Sequence, residues 1–329
     1  MIEILSTGGM STIQDLGRHG YRSVGVGVGG PLDALAARAG NAMLGNGPTC
    51  AFIEVVLFPF RVRFTEECRI AVTGADSRTS IEGRPVWPWW TLTVRAGQEM
   101  RREGPRGGGV GYVCVGGGID VPAVLGSRST DLKAAFGGFE GRTLRKGDRL
   151  HCLPDSRRAG TARLGGFGVR PPLVGMPKGA AEEQPGATPV RVLPASEWDC
   201  FTPEARDSLV TTDWKISPHS NRIGARLEGP VLATERKLEL LSHGIVPGVI
   251  QVPPSGQPIV MQCDAQTSGG YPKIATVIEA DQWRVAQTPP GRSLRFQAVT
   301  LQEAQAAWRE QCDYLRTIEQ ASRWAAGTS

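Results

Sequence analysis

The sequence has no run of apolar residues approaching the length of a membrane span, so a spanning helix is not expected. It has only four histidines, at 19, 151, 219 and 243. None is spaced with Cys or carboxylates as metal ligands are, so no metal is implied. Seven cysteines are present, at 50, 68, 114, 152, 200, 263 and 312, but there is no C-x-x-C pair. The number is odd, and several sit among apolar residues, as Cys114 does between Val113 and Val115. A disulfide framework is not indicated; reduced, mostly buried thiols are expected. A G-x-x-x-x-G-K-[ST] phosphate loop is absent. The opening "MIEILSTGG" lacks a basic region followed by an apolar stretch, so no signal peptide is expected and the cytoplasm is the expected compartment. Clustered positive charge is also missing. The net charge of +5 is scattered, apart from Arg101-Arg102 and Arg157-Arg158, which is not the footprint of a nucleic-acid binder.

What the chain does have is glycine and proline, 43 and 24 residues of 329, a balance that favours many turns and short strands. Short β-type pieces fill the first half: residues 2–6, "FIEVVL", "RVRF", "RIAVTG", "TLTVRAGQEMRRE" and "GVGYVCVGGGI". "SIEGRPV" reads as two strands around a Glu-Gly turn, and "LRKGDRLHCL" closes this half. One helix interrupts the strands, "PLDALAARAGNAMLGN", with Pro31 at its first position, Asp33 in its first turn and Gly45 as stop. A Gly/Pro/Ala-rich stretch then separates two β-rich parts, giving residues 1–155, a linker 156–188 and residues 189–329. "VRVLP" resumes the strands, and Thr202 with Pro203 opens a short helix. At the end, Thr300 and Glu303 form a capping box, and apolar residues at helical spacing predict an amphipathic helix over 300–325.

Four local patterns carry possible chemistry. "GVGVGG" at 25–30 spells a dinucleotide fingerprint, but strands follow its helix without the strand–helix alternation of a nucleotide-binding fold; its bland reading is a turn before a helix. Asn221 and Arg222 together can hold a planar amide or carboxylate, or can simply make a turn. His243 is a candidate acid/base, or a hydrogen-bonded structural histidine. "DAQTSGGYPKIATVIEAD", 264–281, places an acid, an amide, two hydroxyls and a Gly pair directly ahead of the apolar run Ile274–Ile278. Those groups either cap the strand or face something outside the chain. Cys263, beside Asp264, is better read as a small buried residue than as a nucleophile, because no base is positioned by the sequence.

The blocks "TIQDLGRHGYRSVGV", "PLDALAARAGNAMLGN", "GGGIDVPAVLGSRSTDLKAAFGGFEGRTLRKGDRL", "SNRIGARLEGP", "ELLSHGIVPGVIQVPPSGQPIV" and "DAQTSGGYPKIATVIEAD" together resemble the second subunit of the allophanate hydrolase/urea amidolyase carboxyltransferase family, over roughly residues 3 to 310. "GRHG", "LLSHG" and "CDAQT" are more similar to the C-type subunit of the bacterial ATP-dependent 5-oxoprolinase than to the urea-processing members. The resemblance implies a mainly β fold of two cyclophilin-like β-barrels. It also implies a first-subunit partner with the active site shared between the two, a third lactam-utilisation polypeptide, and ATP-driven opening of 5-oxo-L-proline to L-glutamate. ATP would be shared with partner subunits. No Met-Lys-Met biotin attachment site is present, so any biotin would come from another chain. Two departures stand out: Gly25-Val26-Gly27 where the family often has "GVP", and Ser268 where it often has Thr.

On this reading the expected catalytic residues are Arg222, Gln266, Asp264 and His243. Asn221, Ser268, Gly269, Gly270, Tyr271, Arg18 and Asp33 are the expected substrate-binding set. Truncation of Arg222 or Gln266, both in polar turns, is expected to spare the fold. The alternatives are a biotin-dependent carboxyltransferase component acting on urea-like amides, and a non-enzymatic regulator that antagonises a kinase inhibitor.

Overall fold

The computed structural model describes residues 1–156, 166–172, 186–236 and 238–325. Grouped by contacts, the chain forms two units. One comprises Met1–Arg18, Asp33–Glu183 and Cys312–Ser329; the other comprises His19–Leu32 and Gln184–Gln311. The boundaries read from sequence keep residues 19–32 with the first half and all of the C-terminal helix with the second. Most of the expected linker lies outside the described residues. One described piece of it, residues 166–172, is bound to the first unit: Thr91 N–H donates to the Phe167 carbonyl and Val169 N–H to that of Trp89.

The first unit holds eleven strands among the described residues: β1 (Ile2–Ser6), β2 (Ser11–Gln14), β3 (Phe52–Val55), β4 (Phe60–Phe64), β5 (Cys68–Asp76), β6 (Thr79–Ile81), β7 (Arg84–Pro85), β8 (Trp90–Val94), β9 (Glu99–Arg102), β10 (Gly107–Val115) and β11 (Arg149–Leu150). They form a six-stranded sheet, β11-β1-β4-β9-β6-β7, and a five-stranded sheet, β2-β3-β10-β5-β8. Alternation fixes the faces: in β4, Phe60, Val62 and Phe64 are buried and the arginines between them are half-buried. Ile2, Ile4, Ile53, Val72 and Val113 join these residues in one apolar core. The Glu82-Gly83 turn joins β6 to β7 as expected, with both residues at positive φ, 48° and 74°.

Helix α1 (Ala34–Leu44) packs on β5 and β10. It begins three residues later than Pro31. Asp33 keeps an extended backbone, and its carboxylate accepts the Ala36 N–H at 2.8 Å, which makes it the N-cap rather than a first-turn residue. Gly40 lets the helix approach the sheet: a Cβ there would lie 2.6 Å from the Cys114 sulfur. Of the seven cysteines, all free, only Cys114 is buried; the other six are half-buried, so the thiols are less hidden than expected.

The second unit is built on a closed barrel, completed by β20 running parallel to β12. The strands are β12 (Thr188–Pro194), β13 (Asp213–Ile216), β14 (Gly224–Glu228), β15 (His243–Gly244), β16 (Val249–Gln251), β17 (Ile259–Met261), β18 (Ser268–Gly269), β19 (Lys273–Val277) and β20 (Ser293–Ala298). Around the barrel the order is β12-β19-β16-β17-β14-β13-β20, and β15-β18 form a separate two-stranded sheet. Val190, Trp214, Leu227, Ile250, Ile274 and Phe296 fill its interior. Helix α2 (Pro203–Thr211) starts where Thr202 accepts the Ala205 N–H, and α3 (Gln282–Gln287) packs on β12. Helix α4 (Leu301–Ala325) opens with the expected capping box: the Thr300 amide and hydroxyl donate to the Glu303 carboxylate, and Glu303 N–H donates back to the Thr300 hydroxyl. No helix among the described residues is long and apolar enough to cross a membrane.

Candidate functional site

The strand expected after the polar turn is present as β19, and the turn, residues 264–272, is tied down along its length. At its start Arg222, only 5% exposed, holds Asp264 through two hydrogen bonds of 2.7 and 3.0 Å. The same guanidinium donates to the Gly30 carbonyl at 2.6 Å. Gly27 lies close by, since a Cβ there would be 3.4 Å from the Ala265 carbonyl oxygen. The glycine-rich segment is thus pinned beside the turn rather than arranged as a nucleotide loop.

At its middle the turn pairs with the 240s: His243 is in register with Gly269 and Gly244 with Ser268. Beneath it Ile245, Val249, Met261 and Ala265 form a small apolar cluster. At its end Gln251 Nε2 donates to the Tyr271 carbonyl at 3.4 Å. Next along, Lys273 is held at both ends. Its amide donates to Glu197 Oε2 at 2.9 Å and its Nζ to the Gly244 carbonyl at 2.9 Å.

These anchors leave specific groups over. Among the described residues, Gln266 and Ser268 make no side-chain hydrogen bond, and both are exposed. A carboxamide and a hydroxyl on a preorganised turn can together donate to a carbonyl oxygen and accept from an amide N–H. Tyr271 is exposed beside them. Asn221 is exposed too, but its Oδ1 already accepts the Ile223 and Gly224 amides, the usual turn arrangement.

His243 is turned inward. Its Nδ1 lies 3.0 Å from the Leu241 carbonyl and its Nε2 3.8 Å from Glu197 Oε1, so both nitrogens face protein oxygens. The Nδ1 contact fits the structural alternative for this residue, while Nε2 is buried without a hydrogen-bond partner. Arg222 and Asp264 likewise occupy each other. The expectation that Arg222 sits in a turn where truncation costs little is overturned: its side chain is buried and fully engaged.

Arg18 and Asp33 belong to the first unit, unlike the other nine expected site residues. Arg18 is 1% exposed; it donates to the Ser129 carbonyl at 2.5 Å and lies over the Phe136 ring. Asp33 caps α1, and its amide donates to the Tyr112 hydroxyl. Both therefore carry local structural duties. Gln251, Glu197 and Lys273 were missed by the sequence reading, because each acts through atoms 20 or more residues away in the chain. Among the described residues, no group of three or more His, Cys, Asp or Glu stands together as metal ligands.

The family model described as carboxyltransferase domain, subdomain A and B, matches residues 24–298, which span both the glycine segment and the anchored turn. The chain belongs to the carboxyltransferase-domain family. Within that family it is 40% identical to the C-type subunit of the Escherichia coli K12 5-oxoprolinase, over 97% of each chain. It is also 40% identical to the corresponding 5-oxoprolinase subunit of Haemophilus influenzae, again over 97% of each. Among solved structures, the urea amidolyase of K. lactis superposes with a TM-score of 0.85 at 27% identity, covering 97% of this chain but only 20% of that far longer one. The carboxyltransferase fold is thus shared with an enzyme in which it is one part of many.

Proposed function

We propose that this chain is the C-type subunit of an ATP-dependent 5-oxoprolinase complex, and that the anchored turn 264–272 takes part in recognising the lactam. The carrying observation is the 40% identity, along nearly the whole of both chains, to two proteins named as C-type subunits of 5-oxoprolinase. The geometry supports the reading through Gln266 and Ser268, the polar side chains that the fold holds in place and leaves unengaged.

A lactam resists hydrolysis because resonance stabilises its C–N bond. Opening it requires charge on the carbonyl oxygen to be met by donors, and the nitrogen to leave as an amine. In this reading Gln266 accepts from the lactam N–H and, with Ser268, donates to its oxygen. ATP hydrolysis drives the step, with the nucleotide held together with partner subunits, a first-subunit homologue and a lactam-utilisation protein. Exposed Leu241 and Val246 flank the turn and suit coverage by such a partner. Biotin is not attached to this chain.

The test is reconstitution. The chain combined with both partners should release phosphate only when 5-oxoproline is supplied, and should form glutamate in step. The second reading, a biotin-dependent carboxyltransferase component, is favoured by the likeness to urea amidolyase. It predicts instead turnover of urea-like amides that stops when biotin is captured by avidin.

A further inference from the structure

Gln251 is the last residue of β16, and it stays in regular register with Ile259 of β17. Ile250 pairs with Ala275 on β19, but Gln251 pairs with Lys273, so the register slips by one residue at this point. The extra residue, Ile274, lies on β19, so the bulge belongs to that strand just after the turn, and bulges gather near functional sites. Val249, Ile250 and Gln251 are all buried: Ile250 joins the barrel core, Val249 joins the apolar cluster beneath the turn, and Gln251, at 2% exposed, follows two residues after Val249 along the strand. Burying an amide this deeply is costly unless it is used.

Its use is visible. Besides its bond to the Tyr271 carbonyl, Gln251 Nε2 lies 3.3 Å from where a Cβ on Gly269 would be. Gln266 Nε2 lies 3.5 Å from the same point, and Ile245 Cδ1 2.6 Å. The two carboxamide nitrogens are therefore no more than 6.8 Å apart, one on a buried residue and one on an exposed residue, both beside Gly269. A Cβ on Gly269 would collide with Ile245 Cδ1 and would touch both carboxamides, so this position has no room for a side chain.

We propose that Gln251 is a positioning residue: it fixes the end of the turn and, across Gly269, sets where the Gln266 carboxamide stands to read a small cyclic amide. This rests on the reading of the chain as part of a 5-oxoprolinase. Gln251 does not touch the substrate; it decides whether Gln266 meets both the N–H and the C=O of the lactam edge.

The experiment has two arms, each with Gln251→Leu and the near-isosteric Gln251→Glu, so that one variant remains if the other misfolds. In the full chain, side-chain amide NMR follows Gln266, assigned by comparison with Gln266→Ala. Both Gln251 variants should shift the Gln266 pair from its wild-type position. In the reconstituted complex the KM for 5-oxoproline should rise about tenfold while kcat stays within about twofold, since binding geometry is lost and not chemistry. An unmoved Gln266 pair overturns the proposal. So does a lowered melting temperature with unchanged KM. If the wild-type complex does not turn over 5-oxoproline, the functional reading fails, while the amide spectrum still decides what Gln251 does.

Discussion

Arg222 illustrates how burial changes what a residue is for. In sequence it looks like a substrate clamp in a polar turn; in the fold its guanidinium is spent on Asp264 and Gly30. Removing one member of a buried ion pair leaves the other desolvated and uncompensated, which typically costs about 3–5 kcal/mol. Arg222→Ala should therefore lower the urea midpoint strongly, and Asp264→Ala should do much the same. The double variant should be less destabilised than the sum of the two, because the pair is one interaction. An unchanged midpoint for Arg222→Ala would return the residue to the substrate-contact role. Gln266→Ala should behave in the opposite way. Its side chain is exposed and unengaged, so stability should hold within about 0.5 kcal/mol. Turnover by the complex should fall roughly a hundredfold, as when a donor to a developing oxyanion is removed. Normal turnover would take the turn out of the site.

The secondary elements were legible wherever the signal was local. The capping box of α4, the Thr202-Pro203 start of α2, the Glu-Gly turn between β6 and β7, and the alternation of β4 all depend on residues a few positions apart. Thr202→Ala should cost about 1 kcal/mol, read as a shift in melting temperature. At the start of α4, hydrogen bonds from the Thr300 amide and then its hydroxyl hold the Glu303 carboxyl below the usual carboxylate range. A depressed folded value means that this stabilisation is present above the unfolded value and is lost as pH falls through the folded one. Glu303→Gln should thus reduce stability at neutral pH and make no difference in acid. A gap between the two proteins that persists at low pH would contradict the carboxylate's role. What was not legible is equally specific. Pro31 hid the true cap at Asp33, and nothing local announces that Arg222 will find Asp264 42 residues on or that β19 bulges opposite Gln251. Long-range pairing is decided by tertiary packing, which leaves no periodic trace in one sequence.

At the scale of the molecule, the chain is a carboxyltransferase-domain protein whose barrel presents a turn fixed by buried Arg222 and Gln251 and by the β15–β18 pairing. The mainly β character, the barrel and the terminal helix were foreseen. The passage of residues 19–32 into the second unit was not, because it depends on where the chain crosses and not on what the segment contains. On the proposed reading the turn is a recognition surface completed by partner proteins, so the isolated chain should be folded yet inactive. The most direct test is 5-oxoproline-dependent phosphate release, with glutamate measured in parallel, by the two partner proteins with and without this chain. The account predicts coupled phosphate and glutamate only when all three are present. Full activity from the partners alone, or from this chain alone, would contradict it.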